Sequence, residues 1–334
     1  MPNSRMQRRP STGNNPARPR VLAHRGGAGL RVENTLAAFA HAMDCGADGS
    51  ELDVRLTADG EVVVHHDSRL NPAYCRRPDG NYIRDDERSA ISSLSYQELS
   101  RYEIGIPDPH SDYAARFNRI VPVAGQRVPS LRDVIRIVRD RSDSFILVVE
   151  IKSSVLDAAK RPWKQLVDRT LEVVESEGFP GRIVLCSFDW GSLVYAMRQR
   201  PGLPTWFTTH PLSWLGDGVP PASDIPPDPA YLAELRKLYH RGAPWYGGFD
   251  PRDFDGGYPE AIAAAGGCAW FMYYTDFSPA RKQALDSHRL GSAAWSVDLR
   301  DTAVLQQLAG SGLCAICMDY PDMTLGQFPP DPDI

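Results

Sequence analysis

The chain lacks any apolar run near the ~20 residues that a membrane-spanning helix requires, which speaks against an integral membrane segment. Its first stretch, MPNSRMQRRPSTGNNPARPR, is basic and polar but has no apolar core of the kind a secretory leader carries. Residues 1–18 are therefore expected to form a disordered basic tail. Positive charge is not in excess either. The formal net charge of −5 argues against a nucleic-acid partner, while leaving room for a locally positive pocket. Cysteine is sparse: six residues, at 45, 75, 186, 268, 314 and 317, do not make a disulfide scaffold. Cys314 and Cys317 spell CxxC, but LCAICMD reads as a buried strand, and residues three apart on a strand diverge. A reducing, cytoplasmic setting is the expectation. Two common motifs are also missing. No GxSxG surrounds Ser187, and Gly26-Gly27-Ala28-Gly29 is followed by neither a Walker lysine nor a full GxGxxG.

What the chain does have is alternation. Its 334 residues suit two domains or one large barrel. Short apolar runs predict strands at Val21–Gly26, Glu51–Leu56, Val62–His66, Phe145–Lys152, Arg182–Phe188, Thr205–Thr208, Ala269–Tyr273, Ala293–Val297 and Ala315–Met318. Between most of them lie helical periodicities: one capped by Asn34 or Thr35, then Ser130–Asp140, Trp163–Glu177, Trp190–Gln199, Tyr231–His240, Ser278–Asp286 and Thr302–Leu308. Repeated strand–helix alternation predicts a parallel α/β sheet. Polar residues recur at the C-terminal ends of the strands: His24, Asp53, His66, Lys152, Ser187 and Asp319. Sites spread over so many strand ends favour a (β/α)₈ TIM barrel over a doubly wound sheet with one switch point. The barrel is expected to be irregular at its start. Nine strands are one too many, and the link from Asp53 to Val62 is too short for a helical crossover. Residues 68–128, rich in Pro, Asp, Arg and Tyr with one clear helix at Ser95–Tyr102, read as a loop-rich insertion after the third strand, beside the site. One domain over 19–325 and a short C-terminal tail over 326–334 complete the division.

Strand parity sharpens the candidate site. Leu22 with His24, Glu51 with Asp53, Val64 with His66, and Glu150 with Lys152 each share a face. If those faces point inward at the barrel top, three carboxylates converge, and their mutual repulsion calls for countercharge. One divalent cation answers that need, and all-oxygen ligation by Glu51, Asp53 and Glu150 indicates a hard ion, Mg²⁺ or Ca²⁺. His24 and His66 can then supply a general base and a general acid, with Arg25 and Lys152 as fixed positive charge for a phosphate. Together they match phosphodiester cleavage. Singly, each residue has a plainer reading: His24 or His66 a structural histidine, Glu51 a salt-bridge partner of Arg25, His65 a polar residue turned to the helix side, His41 a surface group. Phe188 and Trp295, at late strand ends, are candidate pocket walls or core.

The segments HRGGAGLRVENTLAAF, ELDVRLTADGEVVVHHD, VVEIK and AICMDYPD, taken together from about Val21 to Asp322, resemble the glycerophosphodiester phosphodiesterases. The resemblance implies a (β/α)₈ barrel with an insertion after the strand bearing the second histidine. It implies His24 and His66 as the acid–base pair, Glu51, Asp53 and Glu150 as metal ligands, and Arg25 and Lys152 on the phosphate. It further implies cleavage of a small-molecule glycerophosphodiester to an alcohol and glycerol 3-phosphate, with the glycerol 2-hydroxyl as an internal nucleophile and a cyclic phosphate then opened by water. The chain departs from the family pattern at SRLNPAYCRRPDG, where LxRTT is commoner, and at WSVD, where many members have WTVN. Both departures bear on substrate choice more than on chemistry. Tyr74, Arg76, Arg77, Tyr82 and Tyr113 of the insertion are expected to shape the leaving-group side. Two alternatives stand beside this reading: a relative cleaving lysophospholipids or phosphoinositides, and a non-catalytic barrel that binds phosphoryl ligands. Oligomeric state is left open.

Overall fold

A computed structural model describes residues 18–328, except Asp224 and Val297. Its sheet has nine strands: β1 (Arg20–Ala23), β2 (Gly49–Leu56), β3 (Val62–Val64), β4 (Ile146–Ile151), β5 (Ile183–Ser187), β6 (Thr205–Thr208), β7 (Ala269–Tyr273), β8 (Gly291–Trp295) and β9 (Ala315–Met318). Strand β1 pairs in parallel with both β2 and β9, so the sheet closes. The order β1-β9-β8-β7-β6-β5-β4-β2 forms an eight-stranded parallel barrel, and β3 hangs on β2 as an antiparallel partner outside that ring. The surplus strand and the short Asp53–Val62 link thus have one cause, a hairpin turning at Thr57–Gly60. There Thr57 Oγ1 accepts from the Glu61 amide at 2.9 Å, and Gly60 takes a φ of 83°.

Helices α1 (Leu36–Asp44), α2 (Tyr96–Leu99), α3 (Asp112–Arg116), α4 (Leu131–Arg141), α5 (Lys164–Ser176), α6 (Trp190–Gln199), α7 (Pro229–His240), α8 (Gly257–Ala265), α9 (Pro279–Ser287), α10 (Thr302–Ala309) and α11 (Pro321–Leu325) account for the described α-helical segments. Helix α4 shows why they form. Its sequence LRDVIRIVRDR buries Leu131, Val134, Ile135 and Val138 and turns its arginines outward. Its start is fixed by a reciprocal cap between Ser130 and Asp133. The core lies in two layers. One cluster, including Phe39, Val54, Leu147, Leu185 and Phe207, fills the space between strands and helices. A second, including Leu22, Val148, Cys186, Phe271 and Cys317, has the strand parity of the site residues and plugs the barrel beneath them.

Several expected boundaries move. Strand β1 ends at Ala23 and β3 at Val64, so His24 and His66 lie in the turns that follow, not on the strands. The helix expected at Ser95–Tyr102 shortens to α2, and a second helix, α3, stands in a region where one was expected. The insertion is not loose: Leu70, Tyr74, Cys75, Ile83, Ile91 and Leu99 build a buried core of their own. Helix α8 escaped the periodicity because its alanines and its early Pro259 give no amphipathic contrast. Of the tail expected at 1–18, only Arg18 is described; it pairs with Asp48 at 2.6 Å and sits 5.3 Å over the Phe328 ring. The rest of that tail, residues 329–334 of the C-terminal tail, and the end of the strand expected to reach Val297 lie outside the described residues.

Candidate active site

At the C-terminal end of β1 the chain enters a tight turn, His24–Gly26. Arg25 takes a φ of 51° there, a left-handed conformation that costs a branched or long side chain about 1–2 kcal/mol. Gly26 follows at φ 84°, where a Cβ would come within 2.6 Å of the Ala38 Cβ, so only glycine fits against α1. The turn is pinned by the Gly26 amide donating to Ser50 Oγ at 3.0 Å and the Arg25 amide donating to Glu51 Oε2 at 3.2 Å. As a result His24 hangs over the barrel axis. Its Nδ1 lies 2.6 Å from Asp319 Oδ1 and its Nε2 3.7 Å from Glu51 Oε2. Asp319 arrives because β1 and β9 pair with Ala23 opposite Met318.

Glu51 and Asp53 project from β2, and Asp53 stands in direct register with Glu150 on β4. One oxygen from each of the three lies within 4.8 Å of the others. Glu51 and Asp53 are 2% and 1% exposed, which raises the cost of holding several negative charges together there. Burial, reinforced by Asp53 and Glu150, drives the Glu51 carboxyl well above its ordinary range. Burial pushes Asp53 the same way, but Lys152 and Arg25 outweigh it and hold Asp53 well below its usual value. Glu51 Oε1 is buried without a hydrogen-bond partner. An orphaned carboxylate oxygen within an all-oxygen cluster fits a hard divalent cation, because such an ion takes carboxylate oxygens directly.

The remaining charges form a lattice around this cluster. Lys152 Nζ is 2.8 Å from Glu150 and 3.4 Å from Asp53. Arg25 pairs with Glu33 at 2.9 Å and with Asp53 at 3.3 Å. Asn34 donates to Asp53 Oδ2 at 2.9 Å, and Thr35, not Asn34, caps α1 by accepting from the Ala38 amide at 3.1 Å. The Glu-Asn-Thr run therefore serves the site with two side chains and the helix with the third. On the far side, His66 Nδ1 lies 2.8 Å from Asp67 Oδ1, and Arg55 donates through Nε to the His66 carbonyl at 2.8 Å. Burial, then Arg25 and Lys152, push the His66 imidazole down to about 3. His65 turns away into the insertion, buried with its ring 6.3 Å from Tyr74.

These groups share one cleft of about 660 Å³, lined by His24, Arg25, Glu51, His66, Glu150 and Lys152 among others. Phe188 and Trp295 both line it, in an edge-to-face contact of 5.6 Å. Of the insertion residues expected to shape it, Tyr113 lines the cleft. Tyr74 is buried in the insertion core, Arg76 is tied to Glu103, Arg77 to Glu87, and the Tyr82 hydroxyl to the Pro107 carbonyl. Sequence reasoning missed Asp112, Arg116 and Phe117 on that side and His210, Trp214 and Tyr231 on the other. His210 alone had a signal, since it follows the end of β6 by two residues.

The glycerophosphoryl diester phosphodiesterase family model matches residues 24–323. A glycerophosphodiester phosphodiesterase of Caldanaerobacter subterraneus is 30% identical over 184 residues, a match that covers 55% of this chain and 63% of that relative's length. Among solved structures, a putative glycerophosphoryl diester phosphodiesterase of Silicibacter pomeroyi superposes with a TM-score of 0.75 at 26% identity, covering 93% of both chains. An Oleispira antarctica phosphodiesterase in complex with the product sn-glycerol 3-phosphate shares the fold at 18% identity, with a TM-score of 0.62 over 93% of this chain and 96% of that one.

Proposed function

The chain belongs to the glycerophosphoryl diester phosphodiesterase family, and from that premise we propose that it hydrolyses glycerophosphodiesters to an alcohol and glycerol 3-phosphate. The observation that carries this reading is the buried triad Glu51, Asp53 and Glu150 set between two histidines, each with its own carboxylate. Glu51, Asp53 and Glu150 would hold one Mg²⁺ or Ca²⁺, which when bound offsets charge on the non-bridging phosphate oxygens. Arg25 and Lys152 orient the phosphate as fixed cations. One histidine of the pair accepts the proton of the attacking hydroxyl, from water or from the glycerol 2-hydroxyl, whose attack gives a cyclic phosphate that water then opens. The other donates a proton to the alkoxide as the P–O bond to the alcohol breaks. Asp319 and Asp67 hold the Nδ1 atoms, so that Nε2 of each ring is the nitrogen that exchanges protons. The complex of the Oleispira antarctica phosphodiesterase with sn-glycerol 3-phosphate supports a small-molecule substrate.

The six free cysteines fit a reducing compartment, the cytoplasm. Among the described residues no helix is long and apolar enough to cross a membrane. The test is release of glycerol 3-phosphate from glycerophosphocholine by the purified chain, with added Mg²⁺ or Ca²⁺ and again after chelation. Turnover that chelation abolishes and either ion restores is expected. Binding of the diester without any turnover, under every metal condition, would leave only a phosphoryl-binding barrel.

A further inference from the structure

The two walls of the cleft are chemically unlike. On the insertion side stand Asp112, Tyr113 and Arg116, polar groups that can meet a polyol. On the other side aromatic rings follow one another without a break. Trp295 lies 5.6 Å from Phe188, Phe188 4.7 Å from His210, and His210 6.1 Å from Trp214 and 6.0 Å from Tyr231. Ile225 and two prolines, Pro226 and Pro227, extend this belt. It begins beside the phosphate end, because Trp295, Phe188 and His210 line the same cleft as Glu150 and Lys152.

The rings of the belt carry little charge of their own. Burial, and secondarily Lys152, push the His210 imidazole down to about 3, and its Nε2 is engaged with the Tyr231 hydroxyl at 2.8 Å. Asp228, a carboxylate on that side, is oriented by the start of α7, accepting from the Ala230 and Tyr231 amides at 2.7 and 3.0 Å, both through Oδ1. Apart from Trp295 Nε1 and Thr208 Oγ1, which lack hydrogen-bond partners, a hydroxylic head group placed there would find little in return for lost water. A hydrocarbon would gain by leaving water.

We infer that the alcohol arm of the substrate is a hydrocarbon chain lying along the Trp295–Phe188–His210–Trp214 belt, with the glycerol arm facing the insertion. This rests on the reading of the site as a glycerophosphodiesterase. The rival occupant of an aromatic belt is a quaternary ammonium, bound by the ring faces, and the test separates the two. Glycerophospho-n-alkyl esters from methyl to octyl are compared with the choline ester and with its uncharged 3,3-dimethylbutyl isostere. The expected result is a kcat/KM that rises about fourfold per methylene until the belt is covered, and a dimethylbutyl ester cleaved at least as well as the choline ester. Trp214→Ala flattens the series; should that buried position not tolerate it, Ile225→Asp, half-buried, gives the same flattening. A flat or falling series with good turnover of the methyl ester overturns the inference and leaves the phosphodiesterase reading intact. A choline ester preferred tenfold over its isostere overturns it in favour of cation recognition. Turnover of none of the esters removes the phosphodiesterase reading itself, and this inference with it.

Discussion

The two histidine stations solve one problem in opposite ways. His66 takes its carboxylate from the next residue, Asp67, whose side chain is 29% exposed and which also accepts from Asn71 at 2.9 Å. His24 takes its carboxylate from Asp319, 295 residues away and 1% exposed, delivered only when β9 closes against β1. A near, wet partner can be replaced by water, whereas a far, buried one cannot. The His24 station therefore depends on barrel closure, and the His66 station on a local turn clamped by Arg55.

Removing either imidazole should cost most. His24→Ala and His66→Ala are each expected to lower kcat by about 10³-fold without loss of secondary structure, as loss of a general acid or base does. Turnover paired with circular dichroism checks this, and near-normal turnover in either variant would remove that residue from the chemistry. The carboxylates come next, and here the comparison can fail. Asp319→Asn is expected to lower kcat by about 10²-fold, because the buried amide forces the wrong ring orientation or tautomer. Asp67→Asn should cost only about tenfold, since solvent reaches that side. Equal losses would show that burial does not distinguish the stations. A smaller change, near fivefold, is expected for Arg55→Met, with Arg55→Lys recovering part of it, because the carbonyl of His66 rather than its ring is held. The assay is the kcat-against-KM split, with the loss in kcat.

The smallest effect concerns stability. Asp189 caps α6, accepting from the Gly191 amide at 3.1 Å and from Ser153 at 3.1 Å, and burial pushes its carboxyl up to about 7. A carboxyl raised in the folded state contributes its stability in full below its ordinary value near 3.8, and that contribution is lost as pH rises to about 7. Asp189→Asn keeps the cap and removes the charge. Its thermal midpoint should exceed that of the parent by a few degrees at pH 8 and match it at pH 4. A midpoint difference independent of pH would show that Asp189 does not titrate in this range.

The same near-and-far contrast explains what the sequence made legible. Period-two parity was enough to bring Glu51, Asp53, Glu150 and Lys152 to one end of the barrel, since strand direction and face follow from local pattern. Parity also flagged Asp319 as a strand-end residue, but its pairing with His24 needs the closure register, which no local pattern encodes. Asn34 was visible only as a candidate helix cap, and Glu33 only within the segment that carries the family resemblance. Their work on Arg25 and Asp53 depends on the left-handed turns at Arg25 and Asn34, with φ of 51° and 55°. The aromatic belt was the least legible, because Trp214 and Tyr231 come from a proline-rich segment and the head of α7, where periodicity says nothing about which way a ring faces.

The proposed activity stands or falls with whether the buried triad binds the cation on which turnover depends. Calorimetric titration of Mg²⁺ and of Ca²⁺ into the parent chain and into Glu51→Gln, with turnover measured on the same samples, tests it most directly. The parent should show one site per chain for at least one of the two ions, and Glu51→Gln should lose at least 100-fold in both affinity and kcat. Full turnover by a chelated, metal-free parent, or unchanged binding in Glu51→Gln, would contradict it.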